Sequence, residues 1–281
     1  MTDTAWIDEI AWPADGPPWL AMGLSRISTH EWLVPDAHRD QELHLRHQLL
    51  RERHDEVFGA LPGTAAAGAE ALELVLAWEQ AHAAGQRGVP VDPAIHPLEA
   101  AGRRVQEDLV VMAPHDDGYH LDAAVLCFPS HWRLRSKLGG SALAIHGPVP
   151  GYADELGPKV DRFLDRLRPD VIVARRNWSV HDSAALFAPD PPEDPVPVAL
   201  DQVGDGLWLR SERQTLRRLP VSGSVLFTIR VQQAPFSAFD RHRAGAAALA
   251  ARISAQPAAL TQMNGLAPHR DVVIEWLRSR S

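Results

Sequence analysis

The stretch Asp108–Phe128, DLVVMAPHDDGYHLDAAVLCF, decides the fold class. Two apolar runs rich in Val and Leu flank His115–Gly118, HDDG, a turn sequence carrying Asp-Gly. Runs of strand length on either side of such a turn predict a β-hairpin. Outward from it, the period of the apolar residues changes. Toward the N-terminus the pattern is helical. Asp36 is placed to cap a helix running to about Phe58, with Leu43, Leu50 and Val57 at intervals of seven. After the turn LPGT, Thr64 opens an alanine-rich stretch that favours helix by propensity. QRGVPVDPAIHP reads as a loop, and HPLEAAGRRV as one more short helix.

Toward the C-terminus, SALAIHGPVP continues an apolar, strand-like segment into a Pro/Gly break. ADELGPKVDRFLDRLRP sets Leu156, Val160, Phe163, Leu164 and Leu167 on one helical face. VIVAR is strand-like, FAPDPPEDPVPV is a surface loop, and GLWLRSE with SVLFTIRVQQ forms a second strand pair. In the latter, Val225, Phe227, Ile229 and Val231 alternate as in a half-buried strand. RHRAGAAALAARIS and RDVVIEWLRSR return to helix. Helices outside and strands in the middle indicate α+β, an antiparallel sheet with helices on one face or at its ends. The expected organisation is a single domain over residues 1–281, helical to about 106 and sheet-rich from about 107. No internal repeat interrupts it.

Composition narrows the function. The 281 residues carry 45% hydrophobic and 23% charged side chains, ordinary for a globular chain. No apolar run approaches the roughly 20 residues of a membrane span. The acidic start MTDTAWIDEIAWPADG lacks the basic, apolar pattern of a signal peptide, so a cytoplasmic location is expected. A net charge of −8 argues against nucleic acid as a partner, despite a local basic patch at Arg210–Arg218. The single cysteine, Cys127, cannot make an internal disulfide or a four-cysteine iron–sulfur cluster. Neither GxGxxG nor GxxxxGK[ST] is present. If the chain does redox chemistry, its electrons come from elsewhere.

Four stretches mix rings, histidines and cations: Cys127–Tyr152, Arg175–Asp182 (RRNWSVHD), Arg210–Pro220 (RSERQTLRRLP) and the strand SVLFTIR. In this order they resemble the catalytic, haem-bearing (alpha) subunit of the haem-dependent oxidative N-demethylases. The resemblance runs from about Trp19 to the C-terminus and is strongest over Cys127–Asp182 and Arg210–Arg230. It implies a PAS-like haem-binding core and a monooxygenase-type reaction, in which O2 is used to remove a methyl group from a small amine as formaldehyde. It also implies haem b on this chain, with FMN and an iron–sulfur cluster on a separate reductase subunit.

The residue roles follow from that resemblance. Haem iron takes an axial donor, most often an imidazole. His146, in AIHGPVPGY, is the first candidate metal ligand, set against the plainer reading of a buried histidine bonded to backbone. His131 is the second, as a pocket-rim residue or a surface one. His181, beside Asp182, suits a distal hydrogen-bonding role. Cys127 would be a thiolate ligand or an inert core residue. Haem propionates need cations: Arg133, Arg135 and Lys137 would share one face of an extended segment, Arg213, Arg217 and Arg218 form a second cluster, and Arg176 stands before Asn177 and Trp178 in the stretch RRNWSVHD. The plain alternative for each is a solvated charge. A protonated amine needs an acceptor, Glu212 or Asp182, and the faces of Trp132 and Trp178 could hold a methylated cation. Two other readings stay open: a PAS-like haem sensor, for which no output domain is visible, and an accessory protein without haem.

Overall fold

The computed structural model describes residues 4–10, 12, 22–82, 90–147, 157–193 and 195–281. In chain order the elements are β1 (Ser25–Ile27), α1 (Arg39–Glu52), α2 (His54–Val57), β2 (Phe58–Ala60), α3 (Ala65–His82) and α4 (Pro97–Gly102). The hairpin β3 (Asp108–His115) and β4 (Gly118–Val125) follows, then α5 (Ala142–Ile145), α6 (Gly157–Arg166) and β5 (Ile172–His181). The chain ends in α7 (Val203–Gly206), β6 (Trp208–Arg218), β7 (Val225–Pro235), α8 (Arg243–Ala255), α9 (Ala258–Met263) and α10 (Arg270–Arg278).

The fold is α+β. Among the described residues the strands make one seven-stranded antiparallel sheet in the order β1-β5-β6-β7-β3-β4-β2. It joins two units, the β3–β4 hairpin and the β5–β6–β7 meander, along the β3–β7 pairing. The hairpin closes where expected. His115 pairs with Gly118, and Gly118 takes φ +125, a conformation open only to glycine in practice.

Alternation along the strands gives the two faces different cover. Leu109, Val111, Ala123, Val125 and Leu226 pack under α1, α3 and α4. On the same side at the meander end, Val180, Leu209 and Ala234 pack against α8 and α10. The opposite face, with Val110, Met112, Leu121 and Val225, is covered by the chain between β4 and β5, through Leu134, Ala142, Leu164 and Leu167. Val160 and Phe163 of the expected helical face join this cluster, while Leu156 lies outside the described residues. Among the described residues no helix is long and apolar enough to cross a membrane.

Two expectations are corrected. The helix expected from Asp36 to Phe58 starts at Arg39, breaks at Arg53 and ends at Val57, because Phe58–Ala60 leaves to pair with Ala123–Val125 at the sheet edge. Asp36 still precedes the helix and accepts from the His38 amide. SALAIHGPVP is not strand-like where it is described. Ser141 caps a helical turn over Ala142–Ile145, its hydroxyl accepting from the Ala144 amide, and His146 follows at the turn's C-terminal end.

Candidate functional site

On the face covered by the β4–β5 connection, two neighbouring strands present polar side chains at alternate positions. Register pairs Arg175 with Gln214, Asn177 with Glu212, and Ser179 with Arg210, so these six share one face. The covering segment adds Ser130, His131, Trp132, Lys137 and His146.

A continuous hydrogen-bonded chain crosses this face. The Arg210 guanidinium donates to the Ser130 hydroxyl at 2.9 Å, and Ser130 donates to Glu212 Oε1 at 2.7 Å. From the other side Arg175 donates to Gln214 Oε1 at 2.7 Å, and Gln214 donates to Glu212 Oε2 at 2.9 Å. Each Glu212 oxygen is thus held by a neutral donor that an arginine has already polarised. Arg210 is fully buried, and burial draws its pKa down to about 10, so it remains charged at neutral pH. Its other partners are the carbonyls of Phe128, Pro129, Ala185 and Leu186, which ties both flanking loops to β6.

Those tethers shape the histidines. His131 has φ +58, alone among the described non-glycine residues in taking a positive φ, a strain of roughly 1–3 kcal/mol that the surroundings must hold. Its amide donates to the Ala188 carbonyl at 2.8 Å. Its ring stacks on His181 at 4.3 Å between centroids. Burial, and then the Arg210 and His131 charges, push His181 down to about 3, and burial followed by Arg210 lowers His131. Ser179 Oγ lies 3.0 Å from His181 Nε2. Burial also lowers His146, with the Lys137 and Arg175 charges acting in the same direction. All three imidazoles are therefore neutral at pH 7. His146 Nδ1 donates to the Ala142 carbonyl at 2.8 Å, which places the proton on Nδ1 and the lone pair on Nε2. Lys137 sets its ammonium over the Trp132 ring, 4.7 Å from the centroid.

Of the residues read from the sequence, His131, Trp132, Lys137, His146, His181 and Glu212 come to this face. Arg176 and Arg213 do not. They point to the opposite face, where Arg176 binds Glu9, Ser211 and Gln232, and Arg213 binds the carbonyls of Glu31 and Trp32. Arg135 lies at the surface against Asp55. The extended segment expected to align Arg133, Arg135 and Lys137 is instead a 3-10 turn over Leu134–Ser136, so the three cations diverge. Arg133 pairs with Asp190. The second cluster also divides, Arg217 lying over Trp32 and Arg218 bonding the carbonyls that end α6. Trp178 packs beside Trp12 on the helix-covered side, and Asp182 is exposed beyond the strand end. Tyr152 lies outside the described residues.

Ser130, Arg175, Arg210 and Gln214 are functional candidates that sequence reasoning passed over. Period-two alternation along Arg175–His181 and Arg210–Gln214 is the signal that would have grouped the last three, while Ser130, in the loop after β4, had none.

Cys127 is fully buried, and burial pushes its thiol up to about 12, so it is a protonated core residue rather than a thiolate donor. Among the described residues no three His, Cys, Asp or Glu side chains converge to hold a bare metal ion. An iron porphyrin brings four nitrogens of its own and asks the protein for a neutral imidazole and for cations to meet its carboxylates, and residue types of both kinds are present on this face. A family described as haem-dependent oxidative N-demethylase, alpha subunit-like, matches residues 78–274, and the chain belongs to that family. The match begins within α3, leaving the first helices outside it.

Proposed function

We propose that this protein is the haem-bearing subunit of an oxidative N-demethylase acting on a small methylated amine. The balanced reaction takes the N-methyl amine, O2, two electrons and two protons to the demethylated amine, formaldehyde and water. Haem b, when bound, supplies the oxygen chemistry. The electrons come from a separate subunit carrying FMN and an iron–sulfur cluster, a division supported by the single cysteine and the missing nucleotide motifs. A PAS-like core is supported by the central strand order β4-β3-β7-β6-β5, with helices crossing one face between the hairpin and the meander.

The observation that carries the reading is the fixed tautomer of His146. A ligand histidine characteristically donates its second nitrogen to a backbone carbonyl or a carboxylate, which orients the ring and raises its basicity. His146 does so through Ala142, and burial lowers its pKa, which favours the neutral imidazole that a haem iron takes as its ligand. Arg175, whose charge acts on His146, supports this reading as a cation near the ligand histidine that a haem propionate would meet. The stacked His131–His181 pair stands as neutral hydrogen-bonding groups on the other side of the cluster. Glu212 accepts the N–H of a protonated amine, and Trp132 offers its ring face to the methyl groups.

The test is to supply haem to the full chain and record ferric, ferrous and ferrous–CO spectra beside His146→Ala. Stoichiometric haem whose axial-ligand signature disappears in the variant is expected, with formaldehyde released from a dialkylamine once reductase is added. Unchanged spectra in the variant would move the ligand to His131. No haem in either protein would overturn the function.

A further inference from the structure

Lys137 is the one cation on this face whose charge is left without a hydrogen-bond acceptor among the described residues. The 3-10 turn before it, closed by the Lys137 amide on the Leu134 carbonyl at 2.9 Å, directs its stem inward. The ammonium rests on the Trp132 ring, and Glu212 is the carboxylate whose charge reaches it. Burial works against its charge. A half-buried ammonium held by a ring face and a carboxylate beyond ion-pair distance is held weakly.

Glu212 does not depend on Lys137. Ser130 and Gln214 fix both of its oxygens, and each carboxylate oxygen keeps a second lone-pair site. The result is an oriented anion whose charge reaches a primary alkylammonium of the protein that rests on the Trp132 face.

We propose that Trp132 and Glu212 form a receptor for a small alkylammonium ion, and that the Lys137 side chain occupies it in the ligand-free chain and is displaced by the ligand. This rests on the reading of Glu212 and Trp132 as the amine's site, and adds a built-in competitor to it. The receptor rejects neutral molecules and anions, because only a cation replaces the charge that leaves. A secondary ammonium outcompetes Lys137 by placing N-methyl groups on the indole while donating an N–H to Glu212. The lysine stem, anchored at its backbone, cannot make both contacts at once.

The experiment titrates dimethylammonium chloride into the protein at constant ionic strength and follows the upfield ring-current shift of the N-methyl protons by proton NMR. In Lys137→Met the dissociation constant should fall about five-fold, which corresponds to removing a competing contact of about 1 kcal/mol. Lys137→Arg, which keeps a cation over the ring, should bind no tighter than wild type. Trp132→Leu should lose the upfield shift, and Glu212→Gln should weaken binding. Lys137→Gln replaces the Met variant if the latter does not fold, as judged by its thermal midpoint. A folded Lys137 variant without the charge that binds as weakly as wild type, or not at all, overturns the proposal. The titration needs no haem. Tightening in a chain that takes up no haem would leave the receptor standing and remove the demethylase reading. Haem uptake and formaldehyde release without tightening would do the reverse.

Discussion

Arg175 and Arg176 are adjacent in sequence and end on opposite sides of the sheet, as do Glu212 and Arg213. On the helix-covered side the charges are closed off. Arg176 reaches Glu9 and Gln232, Arg213 holds two carbonyls of the segment leading to α1, and Arg230 binds Asp36 and Glu42. Across the sheet, Arg210 and Glu212 are bonded into one polar cluster with rings beside it. His131 is strained, the imidazoles are uncharged, and the Lys137 ammonium has only a ring beneath it. One face uses its arginines to fasten the N-terminal segments, and the other bonds its polar groups into one oriented cluster. A motif read along the chain mixes the two.

The contrast breaks most visibly at Arg230. It is 1% exposed, and replacing it with Ala strands two carboxylates in the interior. The expected loss is about 3–5 kcal/mol in urea denaturation. A loss below about 1 kcal/mol would mean that the helix-covered face is not what holds the fold.

A smaller effect separates the faces by pH. In the folded chain His181 stays neutral down to about 3, whereas in the unfolded chain it protonates near 6.5. Between those values the unfolded state binds more protons. Stability is therefore complete above about 6.5 and declines as pH falls toward 3. Between pH 7 and pH 5 this single group should contribute about 1–2 kcal/mol of that decline. His181→Gln should flatten the fall in urea midpoint over that interval, and an equal fall in both proteins would deny the burial of its charge.

The smallest effect belongs to Arg135, which serves neither face. Its pair with Asp55 is exposed on both sides, 67% and 81%. Arg135→Ala should change stability by no more than about 0.5 kcal/mol and leave haem uptake as it was. A lost haem spectrum in this variant would return Arg135 to the cofactor.

The hairpin was legible in the sequence because Gly118 and its flanking apolar runs act locally. So were α3 and α8, each a long stretch of good helix formers, and α10, whose apolar Val273, Ile274, Trp276 and Leu277 fall on one helical face. The turn over Ala142–Ile145 was not, since four apolar residues suit a strand or a helix equally and only the Ser141 cap decides. His146, His131 and Glu212 carry recognisable chemistry in the sequence, and the fold brings them to one face. Arg176 and Arg213 were grouped with them by proximity along the chain, and alternation on the long strands β5 and β6 separates them. The stacking of His131 on His181 had no local signal at all. It depends on Arg210 drawing two distant loops to one guanidinium.

Ser130 and Glu212 stand 82 residues apart in sequence, one beyond the hairpin and one in the meander. Their bond requires β3 and β7 to have zipped, so neither unit carries half a working site. Pairings of such long separation close late in folding. A ligand that grips both units binds the finished chain and not its fragments, and by mass action it stabilises the whole sheet by RT ln(1 + [L]/Kd). For this architecture, occupancy and folding are linked equilibria.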